Sequence, residues 1–327
     1  MKVRGMGVFA SLWLLLGAPA SEASVHGWIG PSVGGLWSSP ANWTGGVPTS
    51  SEGGMFGTQI DFGANIQSTN DIAGLVVNGI YFDGTGNVIS GTTPITFGPP
   101  ASLGANLRNE VGANTLASSL SINLTGDLVD YVKSGSITIA GAIGGNGGIE
   151  HTALLTSGTL SLTGHNSYSG TTSVIHGTLT LDSLTGGAIP GPSIIGDGSG
   201  AAGSAVVKLL RGSQIDGNLV TIAPDGLLDL NGSSEAFGGL VSIGGPGSTA
   251  TVKLNGGGLG VGTSPGTFLF DGVINGPVGA LMKNGPSTLA LSGSNTFTGP
   301  TTVQGGTLIV NGSQSSSPIN VLNTAKL

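Results

Sequence analysis

An all-β coil of short stacked strands, a β-solenoid, is the fold class that three observations predict for this chain of 327 residues. Residues 159–181 read TLSLTGHNSYSGTTSVIHGTLTL and residues 288–310 read TLALSGSNTFTGPTTVQGGTLIV; the two align without a gap and share 11 of 23 positions. Strand candidates of four to six residues recur every eight to twelve, with Gly, Asn or Ser between them. Only 8% of residues are charged while 63 are Gly, a composition that suits tight turns and stacked strands. A repeat of this kind buries its apolar face against its neighbours, so architecture follows from the unit and not from any single residue.

The N-terminus reads as an address. Lys2 and Arg4 precede the apolar run GVFASLWLLL at 7–16, and small residues follow at Ala18, Ala20 and Ala23. This is the tripartite pattern of a cleavable signal peptide over residues 1–23, with cleavage after Ala20 or Ala23, and the run is too short for a membrane-spanning helix. Without that segment 15 acidic and 7 basic residues remain, a net charge near −8, which argues against nucleic acid as a partner. Cysteine is absent, so rigidity has to come from continuous strand stacking.

The mature chain divides into an N-terminal cap with degenerate rungs at 24–135 and a solenoid at 136–327 that holds two well-formed blocks, 136–183 and 267–312. The offset between the blocks is slightly wider for their upstream parts, Ser136 to Thr267, than for their downstream parts, Thr159 to Thr288, which places two extra residues at 153–157 of the first copy. Strands are expected at 159–163, 172–175 and 178–181, and at 288–292, 301–304 and 307–310. Leu160 and Leu162 then face the core while Thr159, Ser161 and Thr163 face solvent, because side chains alternate along a strand. Turns rich in Asn-Gly or Asp-Gly would favour antiparallel hairpins; only scattered cases such as Asn231-Gly232 and Asn311-Gly312 occur, which favours the coil.

Gly164, Gly170 and Gly177 recur as Gly293, Gly299 and Gly306, as expected where a corner needs positive φ or close backbone approach. Asn166 and Asn295 read as corner residues that tolerate the left-handed conformation and bond their own turn, in preference to ligands. Tyr168 and Phe297 occupy equivalent sites, and loss of the hydroxyl in the second copy argues for packing.

These segments, together with the lead-in FDGVING at 270–276 and Leu281, Lys283 and Gly285 after it, resemble the autotransporter-associated β-strand repeat. The first copy departs at His151, Thr152 and Ala153. The stretch WSSPANWTGGVPTSSEGGMFG at 37–57 is similar to the tryptophan-rich opening of many such proteins. The resemblance covers about half of the mature chain. It implies a right-handed parallel β-helix passenger, secreted or displayed at the outer surface of a Gram-negative bacterium, non-enzymatic, and adhesive or purely structural. It brings no catalytic residues, cofactor or metal to transfer. The chain ends at Leu327 with neither a translocator barrel nor a sorting signal, so a truncated chain or another export route is expected, and the mature part as a monomeric rod.

The alternative, a polysaccharide lyase or hydrolase on the same scaffold, requires converging carboxylates. Asp127 with Asp130 and Asp225 with Asp229 are the local candidates, and both pairs read as solvated turn carboxylates outside any polygalacturonase-like motif. Residues 196–200 (GDGSG) read as a turn and not as a protease nucleophile segment or a calcium repeat. His26, His151, His165 and His176 lack metal-ligand spacing. No catalytic, cofactor-binding or metal site is therefore assigned. Cell-surface polysaccharide or a host surface is the expected partner class. Trp28, Trp37 and Trp43, the sole aromatic concentration, suit either a ligand-binding face or a cap on the first rung.

Overall fold

The computed structural model describes residues 24–50, 57–98, 104–153, 158–315, 317–322 and 325–327. The expected leader at 1–23 and residues 154–157 of the expected insertion lie outside the described residues. The chain winds as a three-faced parallel β-solenoid. Among the described residues the first face, with Leu128–Val132, and the second, with Thr159–Leu162, are 11-stranded sheets, and the third is carried by a four-stranded sheet early in the chain and a five-stranded sheet late in it. Parallel neighbours need a long crossover. Here each crossover is the other two faces of the same coil, so Leu128 pairs with Ile149 on the next rung, and Ile149 with Thr172 on the one after. Among the described residues the single antiparallel pairing joins Ser24–Trp28 to Trp43–Thr44, and the single helical element is the short 3-10 turn Pro40–Asn42. No helix among them is long and apolar enough to cross a membrane.

Alternation places the core. In the strand Thr159–Leu162 both Leu160 and Leu162 are fully buried while Thr159 and Ser161 are half-buried. Stacking turns this alternation into columns: Ile137, Leu160, Leu179, Val207, Leu228, Val252 and Ile274 follow one another up one face in register. Each such side chain contributes roughly 1.5–3 kcal/mol on burial, so a coil of narrow cross-section gains stability with every added rung. The strands run within one residue of expectation, shorter at Thr172–Val174 and Thr301–Val303 and longer at Gly177–Leu181.

The first rung needs a lid, because an open end would expose both the apolar bore and unpaired strand edges. Trp28, Trp37 and Trp43 form it. All three are buried, Trp28 and Trp37 each stand edge-on to Trp43 at 4.8 and 5.6 Å, and Phe62 of the next rung lies 5.7 Å from Trp37. The tryptophans are therefore a cap and present no ligand-binding face.

Corner chemistry follows two rules. At Gly293 a Cβ would sit 1.9 Å from the Gly272 carbonyl oxygen of the preceding rung, so the requirement is closeness; at Gly306 the backbone itself is left-handed, with φ +65. Asn166 and Asn295 differ from the expectation: neither has positive φ, and both are buried. Asn166 Oδ1 accepts the Ile143 N–H of the rung before at 2.9 Å, and its Nδ2 donates to the Ala188 carbonyl of the rung after at 2.8 Å. Asn295 Oδ1 accepts the Ile274 N–H at 2.9 Å in the same way, while its Nδ2 bonds its own turn at the Gly293 carbonyl, as expected. These side chains staple successive rungs where the strand ladder pauses, satisfying amides that would otherwise be buried without a partner. Tyr168 and Phe297 are both buried, as packing requires; Tyr168 bonds Thr172 at 2.5 Å, and in the second copy Thr301 instead accepts from Gln314 at 2.6 Å.

The two repeats do not occupy the same faces. Ile143–Gly145 of the first copy pairs with Ile122–Leu124 on the third face, whereas its counterpart Val273–Asn275 pairs with Thr251–Lys253 on the second. Likewise Thr159–Leu162 belongs to the second face, while Thr288–Leu291 stacks on Thr267–Phe270, which itself lies against Gly239–Ser242 of the first. The Phe268 ring covers Gly239, and the Asp271 N–H donates to Ser242 Oγ at 2.7 Å. Between copies the unit has thus rotated by one face.

Candidate functional site

The interior holds polar groups that the sequence reading did not place. Asp130 and His151 lie on neighbouring rungs of one inward column, between Leu107 on one side and Val174 on the other. Both are completely buried and His151 Nδ1 meets Asp130 Oδ2 at 2.6 Å. Burial pushes the Asp130 carboxyl above the ordinary carboxylate range, with the His151 contact pulling the other way. Asp130 is consequently no solvated turn carboxylate, because register turns it inward. Its expected partner Asp127 stays at a corner, where Oδ1 accepts the Gly148 N–H at 2.7 Å.

Asp225 is also buried, contrary to expectation, and its Oδ1 accepts the Gly198 N–H at 2.7 Å, which pins the 196–200 turn. Gly196 and Gly198 in that turn have φ +85 and +86. Asp229 instead bonds the Asn231 N–H at 2.9 Å and the Asn255 side chain at 3.2 Å. Neither carboxylate pair is brought to a common space. His26 bonds the Gly46 carbonyl and His165 the Gly186 carbonyl, and among the described residues no three of His, Asp and Glu converge as metal ligands.

Lys283 holds, in the second repeat, the place His151 holds in the first. Each is an inward residue of the strand that precedes the Thr-Leu strand, and each lies under the glycine that starts the following one. A Cβ on Gly306 would meet Lys283 Nζ at 2.9 Å, and a Cβ on Gly177 would meet His151 Nε2 at 3.0 Å. Lys283 is fully buried between Val261 and Val303, and its ammonium donates to the carbonyls of Asn284 (2.6 Å), Gly305 (3.0 Å) and Gly285 (3.2 Å). Burial pushes it below the ordinary lysine range. These interior groups hold corners together, and their burial keeps solvent from them.

The outer surface carries two features. A trough of about 630 Å³ runs along the third face, floored by Ala236, Gly258, Gly260 and Ala280 and walled by Asp216 and Met282; no aromatic ring lines it among the described residues. On the first face, register stacks Asp61, Tyr81, Arg108, Tyr131 and Thr152 in one outward column, with Gln59, Gly79, Asn106, Val129 and Glu150 beside it. The Arg108 guanidinium lies between the two rings, 5.9 Å from the Tyr81 centroid and 5.8 Å from that of Tyr131. Nε of Arg108 also donates to Glu110 at 2.5 Å, and Lys133 reaches the same carboxylate at 2.7 Å, which holds Glu110 below its ordinary range. A recess of about 250 Å³ is lined by Tyr81, Asn106, Arg108, Val129 and Tyr131. The sequence reading missed this group because the step from Tyr81 to Arg108 is longer than that from Arg108 to Tyr131, so no fixed period links the three.

Comparison with known proteins agrees with the architecture. The family model described as Passenger-associated-transport-repeat matches residues 157–181 and 281–310. The chain is 29% identical over 250 residues to the adhesin BmaC autotransporter of Brucella suis biovar 1 (strain 1330), an alignment that covers 72% of this chain and 6% of that protein. The chain thus spans a small part of the length of that relative. No solved structure matches it. The chain is a parallel β-solenoid that resembles autotransporter passengers in the two segments matching the passenger-associated transport repeat.

Proposed function

We propose that the chain is part of an exported passenger, displayed at or released from the bacterial surface as a rigid, non-enzymatic rod with an adhesive role. The observation that carries this reading is the repeat itself. Two matched passenger repeats place their shared Leu, Asn and Gly in the same structural roles, as column, staple and corner. Likeness to part of a protein named an adhesin supports the adhesive component. The leader at 1–23 supplies the route across the inner membrane, and cell-surface polysaccharide or a host surface is the partner class. The rod works by presentation: its outward residues are held at strand spacing by a core that does not rearrange.

The test is to express the natural gene with an epitope in an exposed turn, such as the 243–247 corner. Protease should remove the epitope from intact cells, and adherence to glycan-coated surfaces should fall in a deletion strain. An epitope protected in intact cells, yet cleaved after lysis, would overturn the display reading.

A further inference from the structure

We propose that the Tyr81–Arg108–Tyr131 column on the first face is a binding platform for a neutral polysaccharide chain, each tyrosine ring taking one pyranose. The inference rests on the adhesive reading and names the chemistry at one place on the rod. Two of the chain's three tyrosines and one of its three arginines meet here, although aromatic residues are 5% and charged residues 8% of the whole.

The geometry suits a sugar. A Cβ on Gly79 would come within 3.0 Å of Tyr81 Cε1 and 3.3 Å of Cζ, so the Tyr81 ring leans along its own strand towards Gly79. Pyranoses bind aromatic rings through their axial C–H bonds while their hydroxyls take planar polar side chains beside them. Gln59, Asp61, Asn106 and Glu150 supply such groups in the same two columns, as donors and acceptors. The two rings stand two rungs apart, roughly 10 Å at about 4.8 Å per strand. A disaccharide unit of an extended chain has similar length, and the recess is lined by both rings together with Asn106 and Arg108 of the intervening rung.

Charge selects a neutral chain. The guanidinium is sandwiched and already bonded to Glu110, whose other oxygen holds Lys133. Asp61, Asp83, Asp127 and Glu150 surround the platform closely enough for Asp83 to act on Asp61 and Asp127 on Glu150. An acidic polymer would meet net negative charge there.

The test uses the mature chain with ring-labelled tyrosine. Cellohexaose, chitohexaose and mannohexaose are titrated separately, with polygalacturonate as the acidic probe. At least one neutral hexaose should shift the Tyr81 and Tyr131 ring resonances and leave the buried Tyr168 unmoved, and the double variant Tyr81→Thr/Tyr131→Thr should bind that sugar about tenfold more weakly or worse. Threonine already stands outward at Thr152 in the same column, so the variant keeps its strands, and an unchanged melting curve verifies this. The proposal is overturned by no shift with any neutral hexaose, by undiminished binding in the double variant, or by tighter binding of polygalacturonate. A displayed rod that adheres equally well with and without the two tyrosines sinks the platform while leaving the adhesive reading intact; loss of display sinks only that reading.

Discussion

Replacing Lys283 by Met takes a charged group out of the apolar bore and leaves a side chain of similar length. The ammonium makes three hydrogen bonds to carbonyls, those of Asn284, Gly285 and Gly305. Charge-assisted bonds contribute about 1.5–3 kcal/mol each, so the gross loss is roughly 5–9 kcal/mol. Removing the buried ammonium recovers several kcal/mol of desolvation, because an ion in an apolar interior is held at a cost. The balance is a destabilisation of about 2–4 kcal/mol, which for a chain of this size lowers Tm by about 4–8 °C. Thermal melting followed by circular dichroism reads the total. Hydrogen exchange locates it: faster exchange should centre on Ala280–Lys283 and Thr301–Val303, because a solenoid couples each rung chiefly to its neighbours. A Met variant as stable as the parent would refute the reasoning, since it would show that the three carbonyls need no cation. His151→Leu in the first repeat should cost more, about 3–5 kcal/mol, because it strands the buried Asp130 carboxylate, and Asp130→Leu on top of it should restore most of the loss.

Three further outcomes are expected. Trp37→Ala empties the cap between Trp43 and Phe62 and should cost about 3–5 kcal/mol, with proteolysis beginning in the first two rungs and not in the later ones. Gly306→Ala puts a Cβ 2.1 Å from the Ser287 carbonyl at φ +65, so urea unfolding should show a loss well above about 1 kcal/mol, whereas Gly256→Ala, with open space around it, should lose only what its positive φ costs. Glu235→Gln should flatten the pH profile. Burial pushes the Glu235 carboxyl above its ordinary value of 4.5 despite the N–H groups of Gln214, Ile215 and Ala236 that it accepts. A raised folded value means that its contribution is complete below 4.5 and is lost as pH rises from there through the folded value. The urea midpoint of the parent should therefore fall over that interval relative to the variant; a difference that grows as pH rises instead would reverse the sign and defeat the assignment.

Much of the coil was legible because its signals are local. Alternation in TLSLT and TLALS marks which leucines are buried, and the recurrent glycines mark corners where backbones touch. Equivalence of Tyr168 and Phe297 identifies packing without any knowledge of the bore. The asparagines show the limit of local reading: a corner Asn looks like a left-handed turn residue, yet Asn166 spends both ends of its amide on neighbouring rungs, and Asn295 bonds its own turn at Gly293 while its Oδ1 takes the Ile274 N–H of the rung before. Asp130 was misread for a related reason, since Asp127 is its neighbour in sequence and nothing nearby reveals that it faces His151.

By itself the sequence determined that this protein is a coil of short strands, where its best repeats lie, and which side of each strand is apolar, because those properties depend on neighbours a few residues away. Only the tertiary structure decided what stacks on what. Successive coils differ in length, the step from Thr159 to Thr178 being much shorter than that from Gly177 to Ala205, so no constant period predicts the register. That irregularity joins Asp130 to His151, cages Lys283 in carbonyls, rotates the second repeat by one face, and sets Tyr81, Arg108 and Tyr131 in a single outward column.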